Sequence, residues 1–234
     1  GNAFTITITE TDDVLDADIL VQLAATTTET ITISDNDSTE GDQTMSGTAS
    51  NILDVINGDF TGIESSVAVT ASGNTSVAQV NLLTAATTGA VVATVNETDA
   101  ATLTTLTASD VNELSIQIGD RDVSIADLNT IADASALTDG SIDFGDVETT
   151  SGTLDDANTL FVTNADKFSA LHVIDITVTD ETIDAGTLAA VETPIDAVAG
   201  ASITIDASTL TGTASEIAAV LDGTLDHISG VGGD

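Results

Sequence analysis

The sequence predicts an α/β chain: an elongated repeat solenoid with a parallel β-ladder and one short helix per coil of about 25 residues. Three observations predict it. β-Branched residues alternate in short runs such as Thr5-Ile-Thr-Ile-Thr9, Thr30-Ile-Thr-Ile-Ser34, Val67-Ala-Val-Thr70 and Ser202-Ile-Thr-Ile-Asp206, the period-two mark of a strand. Ala/Leu-rich helical phrases alternate with those runs, and strand–helix alternation builds parallel sheets. The chain also repeats itself. Met45-Ser-Gly-Thr-Ala-Ser-Asn-Ile-Leu-Asp-Val-Ile-Asn-Gly58 aligns without a gap on Leu210-Thr-Gly-Thr-Ala-Ser-Glu-Ile-Ala-Ala-Val-Leu-Asp-Gly223.

Taken in order, a strand starting near Thr5 leads to a helix over 17–27, and a strand near Thr30 leads into an acidic insert over 35–42. Thr48 then opens a helix that Gly58 closes. A strand near Val67 precedes a helix over 78–89. A strand near Ala90 is followed by Thr107, which heads the looser copy Leu106-Thr-Ala-Ser-Asp-Val-Asn. Leu114 starts a strand before a helix over 126–136, and Ser141 starts one before the copy headed by Thr153. Strands near Val173, Ser202 and Leu225 complete the set, with a last helix running from Thr213 to Gly223. Thr213 and Glu216 make a strict capping box, and Ile217, Val220 and Leu221 form the apolar stripe behind it. Helices of two to three turns are unstable alone and must lean on neighbours.

Neighbouring strand starts are mostly 23 to 29 residues apart, so two coils make a unit and four units fit: 1–65, 66–120, 121–172 and 173–234. The rival architecture is two compact α/β domains. A solenoid accounts better for the composition. Small Ala, Val, Ile and Thr fill a narrow core, Thr faces align into ladders, and carboxylates spread along a rod. Charges further apart than a Debye length of about 8 Å scarcely repel.

That spreading matters, because 39 carboxylates face only Arg121 and Lys167, a formal charge of −37. Mean hydropathy is nevertheless +0.27, so the chain does not meet the low-hydrophobicity criterion for disorder. Two basic residues exclude nucleic acid and anionic membrane surfaces as partners. Five Phe, no Trp and no Tyr leave little for an aromatic-lined pocket, a sugar platform or a binding hot spot. With no cysteine there is neither a thiol nucleophile nor a cysteine zinc site. No apolar stretch approaches the roughly 20 residues that span a bilayer. The opening Gly1-Asn2-Ala3 reads as the start of a mature or internal piece of a longer chain.

The phrases Leu-Thr-Gly-Thr-Ala-Ser-Glu-Ile (210–217), Ser-Ile-Ala-Asp-Leu-Asn-Thr-Ile (124–131) and Leu-Leu-Thr-Ala-Ala-Thr-Thr-Gly (82–89) resemble tandem repeats in very large acidic cell-surface proteins of cyanobacteria and other marine bacteria. The resemblance covers most of the chain. It implies an extracellular or cell-surface structural role, as S-layer, adhesin stalk or fibre, and it carries over no catalytic residue. The glycine-rich calcium nonapeptides of such proteins are missing here.

Any cation site therefore rests on the chain's own residues. Asp35, Asp37, Glu40 and Asp42 form the densest acidic loop and are the expected ligands for calcium, which takes six to eight oxygens. Asp120 with Asp122, and Asp143 with Asp146, are lesser candidates. His172 and His227 read as polar residues beside strands, Arg121 as a local partner of acids, and Lys167 as solvated. Asp155 and Asp156 read as anions at a helix N-terminus, not as a glycosidase pair. The expected function is a non-enzymatic structural repeat module of an extracellular assembly. It would stack end to end on copies of itself or on neighbouring repeats, with divalent cations relieving its charge. The alternative is a calcium-dependent ligand-binding adhesin domain.

Overall fold

A computed structural model describes residues 3–10, 14–35, 43–137, 141–169, 174–196, 198, 200–222, 225 and 228–230. The protein is α/β. Its named strands pair in parallel, its described residues include eight α-helices, and no sheet closes into a barrel. The chain divides into two compact units. The first comprises Gly1–Glu97, Thr105–Ile116 and Ala134–Ala136; the second comprises Thr98–Thr104, Gln117–Asp133 and Leu137–Asp234.

In the first unit the elements run β1 (Ile6–Glu10), β2 (Val14–Asp16), α1 (Ala17–Ala24), β3 (Ile31–Asp35), β4 (Thr44–Gly47), α2 (Ala49–Ile56), β5 (Phe60–Thr61), β6 (Ala68–Thr75), α3 (Val77–Ala86), β7 (Val91–Val95) and β8 (Glu113–Gln117). One sheet has the order β1-β3-β5, with Ile6 opposite Ile31 and Ile31 opposite Phe60. A second runs β2-β4-β6-β7-β8. A single ladder was expected, and the pairings instead fall into separate sheets. The reason is local: β2 and β4 are extra three- and four-residue strands, each set directly before a helix cap.

The helices start where a side-chain oxygen satisfies an otherwise orphaned amide. Asp16 accepts the Ile19 N–H, Thr48 that of Asn51 and Ser76 that of Gln79, and Gln79 completes the reciprocal box with Ser76. One face of each helix then goes inward: Ala49, Ile52 and Val55 in α2; Val77, Val80 and Leu83 in α3. Complete burial of a side chain such as Ile52 stabilises by about 1.5–3 kcal/mol. α2 packs against both α1 and α3.

The turns after α1 and α3 are closed by buried threonines. Thr27 Oγ1 donates to the Phe4 carbonyl and accepts the Glu29 N–H; Thr87 Oγ1 donates to the Val67 carbonyl and accepts the Gly89 N–H. Each ties a turn to the residues leading into a strand, 20 or more positions earlier.

The second unit contains α4 (Ala100–Leu103), α5 (Ile125–Ala132), β9 (Ile142–Asp143), β10 (Thr149–Gly152), α6 (Leu154–Asn158), β11 (Asp175–Val178), β12 (Thr182–Asp184), α7 (Ala185–Asp196), β13 (Ser202–Ile205), β14 (Thr209–Thr211), α8 (Ala214–Leu221) and β15 (Ile228–Ser229). A π-helical turn over Thr159–Thr163 follows α6, and Phe144 stacks on Phe168 at 4.6 Å between ring centroids. One sheet has the order β10-β11-β13-β15 and another pairs β12 with β14. α7 packs against α6 and α8.

Two expectations about helix ends need correction. Thr107 caps no helix; the helix in that region is α4, capped by Asp99. Ser109 Oγ accepts the N–H groups of Val111 and Asn112 in a tight turn, because β8 begins at Glu113 and leaves no room for a helix. Gly58 follows α2, but not in the left-handed conformation of a typical glycine cap. It is required because a Cβ there would stand 2.3 Å from the Asp54 carbonyl oxygen.

Candidate functional site

The carboxylates are the chain's dominant charged group, and the structure shows what many of them do. Of the expected calcium ligands, Asp35 ends β3 with its backbone opposite Glu10. Asp37, Glu40 and Asp42 lie outside the described residues, as do His172 and His227. Among the described residues no three acidic or histidine side chains are grouped to hold a metal ion.

The lesser candidates have protein donors. Asp120 accepts the Ala100 N–H at 2.6 Å, and Asp122 accepts the Thr149 hydroxyl at 3.0 Å. Asp143 accepts both the Gly145 N–H at 3.0 Å and the Ser169 hydroxyl at 3.1 Å. Gly145 has φ +54°, and a Cβ there would lie 1.9 Å from the Ile118 carbonyl oxygen. This segment is therefore built as a tight corner against a neighbouring strand end.

A recurring arrangement puts carboxylates at helix N-termini from outside the helix. Glu97 accepts the N–H of Val77, the first residue of α3, at 2.9 Å. Asp180 accepts that of Leu154, the first residue of α6, at 2.6 Å. Asp18 of α1 reaches the cap of α2, taking the Asn51 Nδ2 donor at 2.7 Å and the Thr48 N–H at 3.1 Å. The helix dipole favours negative charge at these places. Asp155 and Asp156 occupy the first turn of α6 for the same reason.

Hydrogen bonds at helix caps hold Asp18, Asp99, Asp184 and Glu216 below the ordinary carboxylate range. The Asn51 amide, then the Thr48 N–H, does so for Asp18. Thr102 does so for Asp99 through its hydroxyl and then its N–H, and the Thr187 N–H, then its hydroxyl, for Asp184. Glu216 is lowered by the N–H and then the hydroxyl of Thr213, with the Asp184 charge opposing.

The two fixed cations take partners that the sequence did not indicate. Arg121 pairs with Glu148, 27 residues away, and not with its neighbours Asp120 and Asp122. Lys167 is not merely solvated: its Nζ donates to the carbonyl of Ala132, the last residue of α5, at 2.8 Å. A cation there meets the negative end of the helix dipole. Periodicity carries no signal for such partners, because tertiary packing alone brings them together.

Outward-facing hydroxyls line up across strands. Thr7, Thr32 and Thr61 share one register, with Thr61 Oγ1 donating to Thr32 Oγ1 at 3.3 Å. Ser151, Thr177, Thr204 and Ser229 share another. A shallow hollow of about 210 Å³ in the first unit is lined by Val21, Ala24, Glu29, Asp54, Asp59 and Phe60, an apolar floor with an acidic rim. No helix among the described residues is long and apolar enough to cross a membrane. Chemically, the arrangement supplies acceptors for backbone amides and open strand edges. Comparison with protein-family models, curated proteins and solved structures found no match to this chain.

Proposed function

We propose that this chain is a structural repeat module of an extracellular assembly, of the S-layer, surface-fibre or adhesin-stalk kind, whose coils stack lengthwise and whose ends join further coils. One observation carries the reading: the hydroxyl register Ser151, Thr177, Thr204, Ser229 advances by 26, 27 and 25 residues from strand to strand, always in parallel. Such regular advance is how a solenoid with one helix per coil lays down its rungs. Among the described residues β1 and β15 are edge strands of their sheets, and an edge strand is able to pair with a further rung. Repulsion between acidic flanks disfavours lateral clumping, so growth proceeds along one axis.

No residue is assigned a catalytic role. Divalent cations, calcium first, relieve the charge, with Asp35, Asp37, Glu40 and Asp42 as their proposed ligands. Electron microscopy with calcium and with EDTA tests the reading. Fibres or sheets that shorten in EDTA, and that the Asp37→Asn/Glu40→Gln variant no longer forms in calcium, are the expected result. A monodisperse monomer that binds glycans in calcium would favour an adhesin domain and sink the module.

A further inference from the structure

Asn57-Gly58 is the only place in the chain where glycine follows asparagine. Glycine has no Cβ to hinder attack by its own nitrogen on the preceding carboxamide, so the pair is chemically labile. The corner after α2 nevertheless needs both residues. A Cβ on Gly58 would stand 2.3 Å from the Asp54 carbonyl oxygen. Asn57 is the C-cap of α2, and its main-chain and side-chain amides both donate to the Leu53 carbonyl, at 3.0 and 3.1 Å. Both residues are exposed, and with Leu53, Asp54 and Leu82 they line a shallow hollow of about 320 Å³ that water can enter.

Folding holds the pair out of reacting geometry. The ψ angle of Asn57 is −1°, so the Gly58 nitrogen eclipses the Asn57 nitrogen and is turned away from the side chain. The Gly58 N–H also donates to the Val55 carbonyl at 3.4 Å. Attack on the carboxamide requires ψ to rotate, which breaks that bond and opens the last turn of α2. Tertiary packing opposes the opening, because Ala49, Ile52 and Val55 are buried and α2 lies against α1 and α3. In α8, which carries the second copy of this phrase, only Val220 is buried.

We propose that Asn57 is a site of spontaneous deamidation, gated by opening of the last turn of α2. The Gly58 nitrogen gives its proton to water and forms a bond to Asn57 Cγ. The Cγ–Nδ2 bond breaks, Nδ2 takes up a proton, and ammonia departs to leave a cyclic imide. Water then adds to the imide. Cleavage of the bond between Cγ and the Gly58 nitrogen gives aspartate; cleavage at the main-chain carbonyl gives isoaspartate, with the backbone rerouted through the side chain. One water is consumed and one ammonia released, without oxidation or reduction. The product adds a negative charge to the −37 already present, at the negative end of the α2 dipole and between exposed Asp54 and Asp59. It also deprives the Leu53 carbonyl of the Nδ2 donor. The second copy of the phrase shows which product the corner accepts. Asp222 stands at the position of Asn57, caps α8 at φ −87° and ψ 0°, and donates its N–H to the Ala218 carbonyl. Aspartate therefore fits, whereas isoaspartate lengthens the backbone and displaces Gly58 from its close approach to Asp54.

Incubation of the whole chain in mildly alkaline buffer, with and without urea, followed by peptide mass spectrometry tests the proposal. The peptide holding Asn57 should gain the mass of an amide-to-acid exchange about tenfold or more faster in urea than in buffer, and ahead of every other asparagine. Thr48→Ala removes the cap of α2. With its helical circular dichroism retained, it should deamidate faster than wild type in buffer and at the wild-type rate in urea. Asn57→Asp should fold, as the Asp222 copy does. Equal wild-type rates in buffer and urea would overturn the gating, and so would a Thr48→Ala rate in buffer no faster than wild type. No mass gain at Asn57 in urea would overturn the site itself.

Discussion

Asp120 accepts the backbone N–H of Ala100 at 2.6 Å, although the two residues are 20 positions apart. Ala100 is the first residue of α4, so its amide has no partner inside the helix. Asp99 caps the same helix from within through the Thr102 N–H, and the two carboxylates together satisfy two orphan donors. Glu97 on Val77 and Asp180 on Leu154 repeat the device. Acidic side chains thus join one strand–helix pair to another, and a fold made this way needs few cations.

Removing such a link has a measurable cost. Asp120→Ala and Asp180→Ala should each lower stability by about 0.5–2 kcal/mol, the usual loss for a helix cap. Asp120→Asn should lose less, because its amide oxygen still accepts. Urea unfolding of the three variants checks the order, and an unchanged midpoint in Asp180→Ala would remove the structural role claimed for these acids.

Acidification gives a second prediction. Asp18, Asp99 and Asp184 titrate below their ordinary value of 3.8, and Glu216 below 4.5. A depressed folded-state value means stability that is complete above the unfolded value and lost as pH falls through the folded one. Thermal midpoints should therefore hold their contribution from these acids above pH 4.5 and lose it progressively below pH 3.8. Asp184→Asn should show a shallower loss over that window in calorimetry.

The two cations should behave differently. The Arg121–Glu148 pair is exposed, at 74% and 57%, so Glu148→Gln should cost about 0–1 kcal/mol and less in high salt. Half-buried Lys167 holds the buried end of α5, and Lys167→Met should cost about 0.3–1 kcal/mol or more, with weaker salt dependence. Chemical denaturation at low and high sodium chloride separates them.

Gly62 and Gly73 offer a matched comparison, since both have positive φ, +85° and +73°. A Cβ on Gly73 meets nothing within 4 Å, whereas one on Gly62 would lie 1.9 Å from the Ile33 carbonyl oxygen. Gly73→Ala should cost about 1–2 kcal/mol, the left-handed penalty alone. Gly62→Ala should cost clearly more, because backbone must move. Equal losses in the two melting curves would contradict the close approach at Gly62.

Residue type and spacing alone determined where most of the longer elements begin. Each expected strand start lies within three residues of an observed one, and Thr48, Thr153 and Thr213 cap helices as their spacing implies. These features depend on side chains meeting backbone three residues away, or on alternation within one strand, and both are written locally. The short strands β2, β4, β12 and β14 were missed although their signal is present, an apolar residue between polar ones just ahead of a cap, as at Val14–Asp16 and Thr182–Asp184. Only the tertiary structure decided that Arg121 meets Glu148, that Lys167 meets Ala132, that Asp120 meets Ala100, and that similar phrases end as a buried α2 and an open α8. Those partners are 20 or more residues apart, and packing between elements brings them together, which no local pattern contains.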